Sequence, residues 1–468
     1  MTMTDTRPKT IGELRRGEYR VLPIKEEMRK NLVAKLRHDE ELFPGIVGYE
    51  DTVIPQVENA ILSGQDIVLL GERGQAKTRL ARALVNLLDE EVPMIAGCEI
   101  NDNPYAPACA VCRAKVAAHG DDVEITWLRR EDRYGEKLAT PDITIADLIG
   151  EIDPVKVAEG RYLSDEETIA YGLIPRTNRG IFCLNELPDL AERIQVGLLN
   201  IMEERDVQIR GYKVRLPLDV FVVASANPED YTNRGRIITP LKDRIGSEVR
   251  THYPRTIEGE IAIMESESNA FVPNGFEVSV PEFMKEIIAE ITHLARKSPD
   301  ISKRSGVSVR VSICNYENVL SNAMRRAIRL GERQVAPRVS DLPAVLASTM
   351  GKIELETVGD TNEERLLDRL LQGAVLAVFN RHFLVAEFED LIATFDKGMG
   401  VEASDEMPSM QYVRQLSDVR GLKNAVAKLN AQGNPAIVAS AVEFIMEGLH
   451  LSRKLNKDRA AGKTRYRR

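Results

Sequence analysis

The sequence predicts an α/β domain built on a parallel sheet flanked by helices, followed by an all-helical region. Three observations predict it. A short apolar run, Asp66 to Leu70, feeds a glycine-rich turn that opens a helix. Strand-like and helical segments alternate through residues 44–255, the pattern of a sheet with a parallel core. From about residue 256 onward only helical periodicity is visible.

Taken in order, residues 1–43 form a charged N-terminal extension. Within it Lys25 to His38 reads as a helix, with Met28, Leu32, Val33 and Leu36 at helical spacing. Phe43-Pro44-Gly45 breaks it. The core runs over 44–255. Its buried strands are Ile67 to Leu70, Ile181 to Leu184 and Val220 to Ser225, each a continuous apolar run. Its helices include Thr78 to Leu88 and Leu190 to Met202, and residues 206–216 alternate like a hairpin turning at Gly211. A first helical set, Ile257 to Ser268, Val280 to Arg296 and Val311 to Leu330, fills 256–350. A second, including Glu363 to Phe383 and Ala436 to Arg453, fills 351–468, and the basic tail beyond Leu451 is expected to be a solvated terminus.

Composition narrows the function. The chain has 468 residues and a net charge of -9, which does not favour indiscriminate coating of nucleic acid. Aromatics at 5%, with one Trp, argue against a base-stacking platform, so nucleic acid is not an expected partner. Five cysteines in a chain this long do not make a disulfide scaffold. No apolar run approaches 18 residues and Met1 to Lys9 lacks an apolar leader, so a cytoplasmic protein without membrane insertion is expected.

The turn after Leu70 reads Gly71-Glu72-Arg73-Gly74-Gln75-Ala76-Lys77-Thr78. A phosphate-binding loop needs backbone N–H groups turned inward, a Lys for the outer phosphates and a Ser or Thr hydroxyl for Mg²⁺, and this octapeptide supplies all three, with Arg79 following. The expected ligands are ATP and Mg²⁺, the latter at Thr78. Ala76 stands where glycine is usual, and it fits if its φ is negative. Hydrolysis further needs a carboxylate near the attacking water. Ile181-Phe182-Cys183-Leu184 ends in Asn185-Glu186, so Glu186 is the expected general base or water-orienting residue, and Asn185 replaces the Asp that stands behind Mg²⁺. The third strand ends at Ser225-Ala226-Asn227-Pro228, and Asn227 is the expected γ-phosphate sensor.

With these motifs in order, the chain resembles AAA+ ATPases of the branch holding the magnesium-chelatase ATPase subunit and the MoxR proteins, over roughly residues 44–350. Ile46-Val47-Gly48-Tyr49 is similar to the family's Ile-Val-Gly-Gln segment near the adenine, which implies nucleotide contacts at Val47 and Gly48. Leu241-Lys242-Asp243-Arg244 resembles the segment carrying the arginine finger. Gly306-Val307-Ser308-Val309-Arg310 resembles the sensor of the helical lid, expected over 256–350. The stretch from about 140 to 175 resembles the branch's insert, and the 206–216 hairpin falls where the branch carries one. The resemblance implies that Arg244 acts on nucleotide held by a neighbouring subunit, hence a homo-oligomeric ring, a hexamer, and that Arg310 contacts the γ-phosphate from the lid. Ala76, Asn185 and Tyr49 depart from the family pattern. For much of the branch the resemblance implies remodelling of a partner protein with a von Willebrand factor A domain. The alternative is the ATPase subunit of a magnesium chelatase in tetrapyrrole biosynthesis, working with the other chelatase subunits. A nucleic-acid motor and a nucleotide-locked scaffold, the latter suggested by Asn185, stand behind these.

One cluster lies outside this scheme. Cys98, Cys109 and Cys112 share a loop-like region, and Cys109-x-x-Cys112 suits one end of a tetrahedral structural Zn²⁺ site, with His119 as a candidate fourth ligand. Ordinary reduced cysteines are the competing reading.

Overall fold

The computed structural model describes residues 7–158, 166–208, 215–228, 235–302, 306–355, 363–419, 421–460 and 463–468. The chain divides into two compact units, Met1–His252 and Tyr253–Arg468.

The first unit is built on a five-stranded sheet. Its strands are β1 (Ile67–Leu70), β2 (Tyr134–Leu138), β3 (Gly180–Asn185), β4 (Val220–Ala226) and β5 (Ser247–Arg250). They lie in the order β5-β1-β4-β3-β2, and every pairing is parallel. The three predicted strands are the three interior ones. β1 and β3 are buried at every position, as expected of strands covered on both faces. The flanking strands β2 and β5 escaped prediction because they are the sheet edges, where a strand sees solvent and carries charge.

Two apolar layers cover the sheet. One gathers Phe182, Leu184, Ala224 and Leu241, and the other Ile67, Leu69, Ile181, Phe221 and Val249. The second layer also holds Ile24, Met28 and Leu32, all 0% exposed, so the N-terminal helix Ile24–Arg37 is part of the core rather than an appendage. A fully buried ion pair fixes it. Arg133 Nη1 and Nη2 donate to the two carboxylate oxygens of Glu27 at 2.7 and 2.6 Å, and Arg133 Nε donates to the carbonyl of Arg179 at 2.7 Å. Desolvating both charges is tolerable only because this two-pronged geometry satisfies them.

Three further pieces decorate the first unit. Strands Glu91–Ile95 and Ile125–Arg129 pair antiparallel, with the helix Ala110–His119 between them. In the predicted insert, Gly150–Ile152 pairs with Ile169–Tyr171, while residues 159–165 lie outside the described residues. Asp206–Gln208 pairs with Arg215–Pro217, so the flanks of the predicted hairpin are present and its tip, 209–214, lies outside the described residues.

The second unit is mainly helical, as predicted. Its long helices are Glu282–Lys297, Arg310–Leu330, Glu363–His382 and Pro435–Leu451, within two residues of the sequence-based bounds. One continuous apolar core runs through it, from Ile261 to Tyr466. Gly448 lets the helix Pro435–Leu451 approach Glu363–His382 closely: a Cβ there would lie 2.1 Å from Phe379 Cδ2. The expectation of a frayed basic tail is corrected. Asn456–Ala460 and Lys463–Arg467 form a hairpin that pairs with Val401–Ala403 in a three-stranded antiparallel sheet. Tyr466 anchors it, 3% exposed, with its hydroxyl donating to the Glu447 carboxylate at 2.5 Å. Its alternating lysines and arginines hid the strands, because one buried position in five gives no apolar period.

Candidate nucleotide-binding site

In an open parallel sheet the loops after the strands gather at the carboxyl edge, and ligands bind there. Here β4 lies between β1 and β3, with Ala226 opposite Leu70 and Ala224 opposite Leu184. The loop after β1, Glu186 after β3 and Asn227 after β4 therefore meet at one edge.

The loop is held from several sides. Gly71 N donates to the carbonyl of Ala226 at 3.0 Å, fastening it to β4. Gly71 admits no side chain, since a Cβ would lie 1.9 Å from Thr251 Oγ1 and 2.3 Å from Gln75 Oε1. Gln75, 5% exposed, staples the turn: its Oε1 accepts from Glu72 N at 3.0 Å and from Thr251 Oγ1 at 2.8 Å. The Tyr49 hydroxyl lies 2.8 Å from the carbonyl of Gln75 and 2.9 Å from that of His252, bridging the loop to the chain after β5. Burial pushes that hydroxyl's pKa up to about 12, so it stays a donor. Lys77, 7% exposed, opens the helix Lys77–Ala83 and donates to the carbonyls of Gly71 and Glu72, within the loop it is expected to serve. Thr78 follows, half-buried. Gly74 has φ +74°, and Arg73 and Arg79 are exposed at the rim. Val47 is half-buried, and Gly48, at φ +84°, is exposed. A cleft of roughly 360 Å³ beside the loop is lined by Gly71, Glu72, Gln75, Pro228 and Thr251 among others.

The expected negative φ at Ala76 is wrong. Ala76 has φ 54° and ψ 16°, in the left-handed region. The loop keeps the glycine conformation without the glycine, at a cost of about 1–2 kcal/mol for an L-residue. Ala76→Gly is expected to recover about 0.5–1 kcal/mol once the freer unfolded chain is set against the relieved strain. The check is the thermal midpoint of the first unit, which should rise by roughly 2–3 °C.

At the end of β3 the side chains form one network. Asn185, 7% exposed, accepts at Oδ1 from Ser225 Oγ at 3.1 Å and donates from Nδ2 to Glu136 Oε1 at 2.7 Å. Glu136, on β2, also accepts from Arg82 Nε at 2.7 Å and Nη2 at 3.0 Å. A carboxylate thus stands one hydrogen bond from the position where Asn185 lacks one. Sequence reasoning missed Glu136, and the only signal for it was a polar edge strand. Glu186 follows with φ 54° and ψ 49°, a second left-handed non-glycine, its backbone N–H donating to Ser225 Oγ at 3.1 Å. Strain of this kind persists where surrounding structure over-determines it. Ser225, 2% exposed, joins the ends of β3 and β4, and Asn227, 3% exposed, follows two residues later.

The two arginines implied by resemblance lie in different units. Arg244 ends the helix Thr239–Arg244; its Nε donates to Glu203 Oε2 at 2.6 Å and its Nη1 to the carbonyl of Pro240 at 2.9 Å. Of its sequence neighbours, Arg236 pairs with Glu192 on the surface, and Arg234 lies outside the described residues. Arg310 belongs to the second unit, where it is exposed at the first position of a 21-residue helix.

Away from the carboxyl edge, Cys98, Asp102, Cys109 and Cys112 bring one ligand atom each within 4.8 Å of one another, a group able to hold a metal ion. His119 is not among them. It is exposed at the far end of the helix Ala110–His119, seven residues or about 10 Å beyond Cys112. Asp102 is the member that sequence reasoning missed.

Comparison with known proteins finds relatives over much of the chain. The Sigma-54 interaction domain matches residues 157–246. A magnesium-chelatase subunit ChlI from Nostoc sp. is 24% identical over 65% of this chain and 81% of its own length. A ChlI homolog from Methanocaldococcus jannaschii is 26% identical over 48% of this chain and 58% of its own. Among solved structures, the complex between subunits BchI and BchD of magnesium chelatase matches 70% of this chain and 98% of that chain, at 19% identity and a TM-score of 0.36.

Proposed function

Taking the chain as an AAA+ ATPase related to the magnesium-chelatase subunit ChlI, we propose that it works as a hexameric ring. In this reading, ATP hydrolysis remodels a partner protein bearing a von Willebrand factor A domain. One observation carries the hydrolytic part: the phosphate loop, Glu186 and Asn227 emerge together from the carboxyl ends of β1, β3 and β4. Lys77 and the loop amides would hold the phosphates, Thr78 the Mg²⁺ and Glu186 the water, with Asn227 reading the γ-phosphate. Asn185 would stand behind Mg²⁺, with Glu136 supplying the missing charge. Arg310 would read the γ-phosphate from the lid, over 256–350, and residues 351–468 would bind the partner or complete the ring. Supporting the ring is the resemblance of the Arg244 segment to an arginine finger, which serves a neighbour's nucleotide. Supporting the partner is the resemblance to the MoxR side of the branch.

The names of the curated relatives favour a second reading, the ATPase subunit of a magnesium chelatase. The match to the Sigma-54 interaction domain spans Glu186, Asn227 and Arg244, residues proposed for ATP turnover rather than for reading DNA, so it fits either reading. Among the described residues no helix is long and apolar enough to cross a membrane, in keeping with the proposed cytoplasmic location.

Lys77→Ala tests the site. Loss of a charged contact to phosphate, about 1.5–3 kcal/mol, should weaken binding of a fluorescent ATP analogue by roughly 10- to 100-fold. Unchanged affinity would remove the loop from the site. The two readings separate on stimulation. ATPase activity that rises with a von Willebrand factor A protein supports remodelling; activity that rises with the remaining chelatase subunits and protoporphyrin supports chelation.

A further inference from the structure

We propose that Cys98, Asp102, Cys109 and Cys112 form a tetrahedral Zn²⁺ site that locks the loop after Glu91–Ile95 against the segment entering β3. It is independent of the nucleotide site and of either reading of the function.

Three observations carry it. The first is geometry. A tetrahedron of Zn–S bonds near 2.3 Å needs S···S edges of about 3.7 Å, and the four ligand atoms already lie within 4.8 Å of one another. Small side-chain rotations close the difference. The second is charge. Asp102 is 0% exposed, and among the described residues no Lys, Arg or His forms an ion pair with it. Buried charges are paired or coordinate metals, and a carboxylate set among three thiols has no other cation to meet. Its oxygens accept from Ala108 N at 2.9 Å and Cys109 N at 3.0 Å, which orients the carboxylate and leaves lone pairs free. The third is the setting of the sulfurs. Asp102 N donates to Cys98 Sγ and Cys112 N to Cys109 Sγ, both at 3.3 Å, and Cys109 caps the N-terminus of the helix Ala110–His119. These N–H bonds fix the positions of two of the sulfurs beside the carboxylate. No pair of cysteines is bridged. Three soft sulfurs and one carboxylate in a tetrahedron select Zn²⁺ over Mg²⁺ or Ca²⁺.

The surroundings assign the role. Asn101, inside the site's loop, donates to the carbonyl of Arg176 at 2.8 Å, and Asn178 Nδ2 donates back to the carbonyl of Ile100 at 3.0 Å. Arg179 Nη1 donates to the carbonyl of Pro93 at 2.7 Å, and Ala110 N to Glu166 Oε1 at 2.8 Å. Residues 176–179 lead straight into β3. Six residues of strand, about 20 Å, then separate this end from Glu186, so the metal supports the strand and does not touch the reaction.

Elemental analysis of the full chain, purified without chelator from zinc-supplemented cells, is expected to find about one Zn²⁺ per chain. Organomercurial titration of the thiols should release that zinc to a chromophoric chelator. Cys112→Ser should lose it and melt earlier, the isosteric Asp102→Asn should hold it more weakly, and His119→Ala should keep it. Because the cysteine variant can fail to fold, Co²⁺ replacement in the wild-type chain gives a second readout. Intense thiolate charge-transfer bands and tetrahedral d–d bands are expected, the latter shifted by Asp102→Asn. A folded wild-type chain without zinc that takes up no Co²⁺ would overturn the site, as would a disulfide between any two of the three cysteines. Zinc retained in Asp102→Asn with an unshifted Co²⁺ spectrum, or lost in His119→Ala, would overturn the ligand set.

Discussion

Arg244→Ala is expected to leave ATP binding intact and to cut turnover by roughly 10³-fold or more, the usual contribution of an arginine finger. In the single chain Arg244 rests on Glu203 and on the carbonyl of Pro240 at the end of its helix. That surface pair is weak, worth about 1 kcal/mol or less, so the guanidinium can exchange it for a phosphate presented by a neighbour. Complementation is the decisive measurement. An Arg244→Ala chain keeps Glu186, and a Glu186→Gln chain keeps Arg244. If the finger acts across an interface, an equal mixture of the two inactive variants should recover about one quarter of wild-type turnover, since half the chains supply each part. A mixture as inactive as its components would show that Arg244 serves its own chain's site or none.

Glu186→Gln is expected to lower turnover by roughly 10²- to 10⁴-fold while ATP stays bound, because the amide keeps the shape but cannot accept a proton. The left-handed backbone at Glu186 and its N–H bond to Ser225 Oγ do not depend on the carboxylate, so the site should keep its form. Single-turnover kinetics with radiolabelled ATP would separate cleavage from binding. Turnover within a few-fold of wild type would move the role to Glu136, the carboxylate paired with Arg82 and Asn185 at the end of β3.

What was legible in the sequence follows from burial. β1, β3 and β4 are interior strands, and each reads as an uninterrupted apolar run, so the loops they carry were found with them. β2 and β5 are edges with polar positions, and Glu136 was lost along with β2. Backbone conformation was the least legible. A residue's identity limits φ without fixing it, and Ala76 adopts the value its side chain opposes because Gln75, Tyr49 and Thr251 hold the turn. In the metal cluster the cysteines announced themselves by spacing. Asp102 did not, because a carboxylate four residues after a cysteine is commonplace until its burial is known.

The pair between Glu27 and Arg133 ties the N-terminal helix to the nucleotide-binding unit. The nucleotide motifs suggest an ATPase starting near residue 44, yet Arg133 is 1% exposed and Glu27 is the carboxylate that neutralises it. Truncation at 44 would remove that carboxylate together with the helix whose Ile24, Met28 and Leu32 are fully buried, uncovering Arg133 and the apolar face beneath it, at about 1.5–3 kcal/mol for each large apolar side chain lost from the core. Across evolution the same constraint ties two distant positions together. A relative that has shed the N-terminal helix is expected to have replaced the arginine as well, so a comparison of such sequences would find the two changing hand in hand.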